Sequence, residues 1–200
     1  MDNSNRLNLG GKYFTDNELK RAGFRKLGKN VKIHNRSSIY GVENISIGNN
    51  VRIDDFVVII ATGNLEIESY VQVCNFCFLG AKHGITLGDF TTLAPGVKIF
   101  TSSDDYSGEK LTNPTVSNRF TGGDSGPVVI KKYTIIGAGS IILPNCIIEE
   151  GVSIGALSLV KRSLSSWGIY AGIPIRRLKN RKKELLKLEL QLKREVGRVK

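Results

Sequence analysis

The chain carries two histidines, His34 and His83, and an aspartate pair, Asp104-Asp105. Imidazole titrates near neutrality and accepts a proton readily. A carboxylate beside it orients the ring and stabilises its charged form. Such a pair is general-base apparatus. Twenty residues separate His83 from Ser103, so histidine and carboxylate meet only if the backbone returns on itself with that period. Cys74 and Cys77 have the C-x-x-C spacing of a metal site. No second Cys/His pair has ligand spacing, so the metal reading is rejected.

The required period is present. Leu27, Ile47, Ile67 and Leu87 recur every 20 residues, with further aliphatics every six: Ile33 and Ile39, Ile53 and Ile59, Val73 and Leu79, Leu93 and Ile99. The pattern resumes with an 18-residue period at Ile130, Ile136, Ile142, Ile148, Ile154 and Val160. A fixed hexapeptide period is the signature of a β-helix, in which stacked coils bury one continuous aliphatic core. The residue four positions after each core aliphatic is mostly small, as in Cys77, Ser140 and Cys146. Tight corners inside a triangular coil require that. By this ruler His83 lies one coil below Ser103 and Asp104, within about 5 Å. His34 belongs to an early coil and reads as structural.

The segments divide as a lead-in and short helix over 1–26, the β-helix over 27–164, and a C-terminal segment with a basic amphipathic helix over 165–200. Thr15 with Glu18 forms a capping-box pattern that starts the first helix, and Gly23 ends it. Residues 100–128 abandon the repeat and return in register at Ile130. A structureless segment of that length is usually functional, so it is read as an ejected loop. Leu178, Leu185, Leu186, Leu188, Leu190 and Leu192 lie among Lys, Arg and Glu, which predicts the C-terminal helix.

The net charge is +11, and residues 176–200 hold eleven Lys/Arg against three Glu. A basic tail suits anions, but no aromatic follows Tyr170. Base stacking there is unavailable, which argues against nucleic acid. No apolar run reaches bilayer-spanning length, and the polar start lacks a signal segment. Three cysteines form no disulfide framework. A cytoplasmic protein is expected.

The hexapeptide pattern, the ejected loop and Ala171-Gly172-Ile173-Pro174 together resemble the hexapeptide-repeat acetyltransferases. The likeness is to the galactoside and maltose O-acetyltransferases and to the O-acetyltransferases of surface-polysaccharide clusters. It implies an all-β, left-handed parallel β-helix, a homotrimer with sites between neighbouring prisms, acetyl-CoA as co-substrate and no metal. It also implies a catalytic histidine near position 104, where this chain has Asp104. His83 is therefore expected to be the base, with Asp104 or Asp105 as its partner. The rival is an aspartate base, although a carboxylate of ordinary pKa, about 4, is a weak base at neutral pH. The resemblance assigns Asn75 to holding the acceptor.

For acetyl-CoA the upper coils offer close backbone approach at Gly137, Ala138, Ser140, Ala156, Ala171, Gly172 and Pro174. Lys161 and Arg177, with Arg162, Arg176 and Lys179, offer cations for its phosphates. The expected acceptor is a sugar hydroxyl in surface-polysaccharide synthesis. The alternative is the amine of a nucleotide-linked amino sugar, which needs less help from a base. A carbonic-anhydrase-like hydratase needs three zinc-binding histidines, and the chain has two.

Overall fold

A computed structural model describes residues 10–198; the first nine residues of the expected lead-in lie outside them. Each core aliphatic sits in a strand of two or three residues, and the strands stack into three sheets, the faces of a triangular prism. The first face stacks Lys26–Leu27, Ile45–Ile47, Leu65–Ile67, Ile85–Leu87, Val128–Ile130 and Ile147–Ile148. The second begins Lys32–Ile33, Arg52–Ile53, Gln72–Val73 and Thr92–Leu93, and continues through Ile135–Ile136 and Ser153–Ile154. The third runs Ser38–Tyr40, Val58–Ile60, Phe78–Gly80, Lys98–Phe100, Ile141–Ile142 and Leu159–Val160. Pairing within the coils is parallel and in the 20-residue register, as in Ile53 with Val73 and Val73 with Leu93. The fold is the left-handed parallel β-helix.

Ile85–Leu87 pairs directly with Val128–Ile130. The intervening segment therefore leaves the prism after Phe100 and rejoins it one coil higher. The inward aliphatics above the lowest coil are buried, Leu27 and Ile39 at the lower end are partly buried, and the small corner residues Val57, Cys77, Val97, Ser140 and Ser158 are buried with them. Thr15 caps the helix Asp16–Arg21 with the complete capping box, and Leu19 closes the lower end of the core.

The C-terminal segment differs from expectation. Leu178 belongs to a strand, Arg176–Asn180, that pairs antiparallel with Gly168–Ala171. The helix starts only at Leu185 and runs to Arg198. Arg181 fixes the hairpin's end by donating to the carbonyls of Tyr133 (2.6 Å), Gly151 and Val152. The helix docks through Glu189, which accepts from Lys132 (3.0 Å), Lys193 (2.8 Å) and the Tyr133 hydroxyl. Those donors, Lys193 first and then Tyr133, hold its carboxyl down at about 2. A depressed carboxyl contributes stability above its unfolded pKa, about 4.3, and loses it as pH falls toward the folded value. Acidification from pH 5 to 2 is thus expected to release the helix. Trp167 fluorescence should report it, since Lys183 lies 5.0 Å from that ring. Glu189→Gln should abolish this transition; an unchanged transition would contradict the docking.

The outward side chains of the three faces differ. On the first they are Lys26, Ser46, Glu66, Thr86, Val129 and Ile147, and on the second Lys32, Arg52, Gln72, Thr92, Ile135 and Ser153. The third presents Ser38, Tyr40, Val58, Ile60, Phe78, Gly80, Lys98, Phe100, Ile141 and Leu159, so Lys98 stands as one cation among mostly apolar side chains. Phe78 and Phe100 are in ring contact at 5.2 Å. This largely apolar face is bordered by two prism edges.

Candidate active site

The ejected loop overhangs the third–first edge and encloses a cleft of about 580 Å³. Lys82, His83, Ser102, Ser103 and Asp104 line its floor, and Asn113, Asn118 and Asp124 line the loop side. Two contacts lock the loop's exit to its return: Ser103 N donates to the Asp124 carbonyl at 2.8 Å, and Ser102 bridges Ser125. Gly123 is required there, because a Cβ would lie 2.0 Å from the Ser103 carbonyl oxygen. The register fixes His83 beneath this point. Its backbone N–H donates to Thr101 Oγ1 at 3.0 Å, and that hydroxyl donates to the Gly80 carbonyl one coil down.

The structure thus brings His83 and Asp104 into one cleft. The imidazole is exposed and has no hydrogen-bond partner among the described residues. Asp104 Oδ1 faces the Asn113 N–H at 3.4 Å. The two side chains share the cleft without a direct bond between them, so the expected carboxylate clamp on the ring is absent among the described residues.

Asp105 does not share that role. Its carboxylate accepts from Ser107 Oγ (2.8 Å), Ser107 N (3.1 Å), Gly108 N (3.0 Å) and Lys110 N (3.0 Å). These donors, the Ser107 hydroxyl foremost, hold its pKa at about 2. A carboxylate committed to a turn and ionised so strongly has no affinity for a proton at neutral pH. Asp105→Asn is expected to leave the acyl-transfer rate within a few-fold of wild type while raising protease sensitivity of the loop. A loss beyond about 100-fold, the scale of a proton-transfer residue, would restore Asp105 to the chemistry.

Asn75 lies elsewhere, on the second–third edge. It lines a separate recess with Tyr13, His34, Arg52, Asp54 and Asp55. That recess is largely self-satisfied. Asp54 accepts from Arg52 at 2.5 Å, Tyr13 at 3.1 Å and Gln72 at 3.2 Å, and His34 Nε2 meets the Gly10 carbonyl at 3.0 Å. His34 is accordingly a structural pin for the lead-in.

The strand register stacks Asp55, Asn75, Pro95, Ala138, Ala156 and Gly172 in one column along this edge. Gly137 and Ala171 flank it. The small residues read from the sequence thus share one column above Asn75. Gly137 is dictated by stacking, since a Cβ would lie 2.4 Å from Ala156 N. Pro174, joined to Ile173 by a cis peptide, follows at the column's upper end.

Ser140 is a correction. It is fully buried, with its hydroxyl donated to the Gly155 carbonyl (3.1 Å) and accepting from Ser158 N (3.2 Å). It holds the corner together and presents no side chain to the groove. Lys161 follows the third-face strand Leu159–Val160, away from the column. Arg177 is on the C-terminal hairpin, bonded to Asn180 Oδ1 at 2.9 Å. Burial pushes the Cys77 thiol up to about 12 and raises Cys74 as well. Among the described residues no three His, Cys, Asp or Glu side chains converge.

The candidate residues therefore fall into two groups on two different edges, and both edges border the largely apolar third face. Residues 127–162 match the family model "Bacterial transferase hexapeptide (six repeats)". The chain belongs to the hexapeptide-repeat acyltransferases. It is 42% identical, over 88% of its length and 93% of the relative's, to the dTDP-4-amino-4,6-dideoxy-D-glucose acyltransferase of Escherichia coli. It superposes with a TM-score of 0.90 and 41% identity on AntD, an N-acyltransferase from Bacillus cereus solved with dTDP and 3-hydroxybutyryl-CoA, covering 94% of this chain and 99% of that one. A putative lipopolysaccharide-biosynthesis O-acetyl transferase, WbbJ of Escherichia coli, is 28% identical over 54% of this chain and 57% of its own. The protein is an acyltransferase acting on a sugar. No helix among the described residues is long and apolar enough to cross a membrane.

Proposed function

We propose that this protein transfers the acyl group of a CoA thioester to the amine of a nucleotide-linked amino sugar. The observation that carries the chemistry is the unpartnered His83 imidazole sharing one loop-covered cleft with Asp104. The acceptor class is supported by the 42% identity to an amino-sugar acyltransferase across nearly the whole chain. The hydroxyl reading draws on a 28% match to half of it. The absence of a histidine at position 104 fits an amine acceptor, which demands less of a base than a hydroxyl does.

The two half-sites become one when copies of the chain pack their third faces around a threefold axis. The second–third edge of one prism then meets the third–first edge of the next. A cyclic trimer closes such a heterologous contact and covers the apolar face. CoA lies along the Ala138–Ala156–Gly172 column of one protomer, with its thioester toward Asn75. The neighbour contributes His83 and Asp104. Asp104 attracts the acceptor's ammonium form. Once the amine is neutral, its nitrogen attacks the thioester carbon, forming the C–N bond. His83 takes the proton from that nitrogen as the tetrahedral centre collapses. The C–S bond breaks, and the departing thiolate takes up a proton. Both substrates are cytoplasmic metabolites, and the reaction belongs in that compartment.

An acceptor panel tests this reading. With acetyl-CoA, mass spectrometry should find an added acyl group on a dTDP-linked amino sugar and none on the corresponding 4-hydroxy sugar. Acylation of the hydroxy sugar alone would overturn it.

A further inference from the structure

From Ile53 to Ile154 the third residue after each second-face core position adopts left-handed backbone, at Phe56 (φ +55°), Phe76 (+60°), Gly96 (+74°), Gly139 (+68°) and Leu157 (+54°). Bulky side chains are strained there. At the matching turn on the first–second edge, the lowest coils use Asn30 and Asn50, which tolerate this conformation and water alike. Higher on that edge Tyr70, Phe90 and Tyr133 form a stacked ladder, and the C-terminal helix covers its upper part from Phe90 to Tyr133. Among the described residues Phe56 and Phe76 have no such cover and are 45% and 58% exposed. Their rings are stacked, with centroids 5.3 Å and planes 6° apart, and the Arg36 guanidinium stands 5.8 Å from the Phe56 ring. The ladder stops above Phe76, where Gly96 supplies no side chain and a Cβ would find nothing nearer than 3.8 Å. Leu157 adopts the same backbone, so this glycine serves space rather than conformation.

We propose that the open Phe56–Phe76 ladder seats the nucleobase of the acceptor's nucleoside diphosphate. The proposal rests on the amino-sugar reading above. Three things favour a base over other occupants. Flat, parallel, exposed rings match the π-face of any base. Phe76 follows Asn75 directly, so the ladder begins beside the point where the thioester would meet the acceptor. Phe56 lies two coils below the level of Asp104, about 10 Å along the prism, which leaves room for the diphosphate and the sugar. Arg36 adds a cation at the platform's lower end.

Calorimetric titration of dTDP into the full-length, CoA-loaded protein tests this. The Phe56→Ala, Phe76→Ala double variant should bind dTDP about 10-fold or more weakly. Its KM for the nucleotide sugar should rise by a similar factor with little change in kcat. Phe76→Trp should retain affinity, and CoA affinity and oligomeric mass should be unchanged. Equal dTDP affinity in wild type and the double variant overturns the seat alone. Dissociation of the double variant into monomers also overturns it, because the rings would then be covered by a second copy. Failure of wild type to bind dTDP sinks the amino-sugar reading, and the seat with it.

Discussion

Phe78→Arg is expected to yield a folded monomer with acyl-transfer activity reduced by at least about 100-fold. Phe78 points outward from the third face and touches Phe100 at 5.2 Å. The core side chain of that strand is Leu79, which is fully buried. The substitution therefore leaves the coil's interior intact, and circular dichroism and melting temperature should stay near wild type. What it disturbs is packing between copies. An uncompensated charge in a buried interface costs roughly 3–5 kcal/mol, more than two decades in association. In the proposed trimer neither edge alone carries a whole site, so loss of assembly is expected to be loss of activity. Light scattering and a thiol-release assay measure the two effects together. A monomeric variant with full activity would show that one chain suffices.

His83→Ala should lower kcat by about 10²- to 10⁴-fold, the range for removing a proton-transfer group, with KM for acyl-CoA within a few-fold. The imidazole makes no structural bond among the described residues, so stability should not change. Asp104→Asn should act differently. It keeps the shape and removes the charge that attracts the ammonium, so kcat/KM for the amino sugar should fall while CoA binding persists. Wild-type turnover in His83→Ala would remove the imidazole from the mechanism and leave Asp104 as the base.

Much of this was legible in the spacing because a solenoid converts sequence distance into height. The 20-residue period located His83 beneath Ser103, and the structure keeps them one coil apart. The same ruler already listed Ser140 among the small inward corners, which should have removed it from the cofactor groove. Asp104 and Asp105 were indistinguishable in sequence. Which of two adjacent carboxylates closes a turn depends on the N–H groups of Ser107, Gly108 and Lys110, and an irregular loop has no period to place them. Leu178 misled because a leucine among cations suits an exposed hairpin strand as well as a helix. The third face is legible in the residues flanking each core aliphatic, where Val58, Phe78, Phe100 and Ile141 stand against Lys32, Arg52 and Gln72, with Lys98 as the charged exception. Edges were harder. Asn75 and His83 are eight residues apart yet sit at different corners of the prism, and a linear reading treats them as neighbours.

The claim that each site is assembled from two protomers is tested most directly by subunit mixing. His83→Ala lacks the loop half-site, and Asn75→Ala lacks the groove half-site. Each homotrimer should be nearly inactive. Co-refolded in equal amounts, the two variants should regain about a quarter of wild-type activity, since random cyclic assembly pairs two intact edges at about one interface in four. Activity in the mixture no higher than the mean of the two parents would contradict the account.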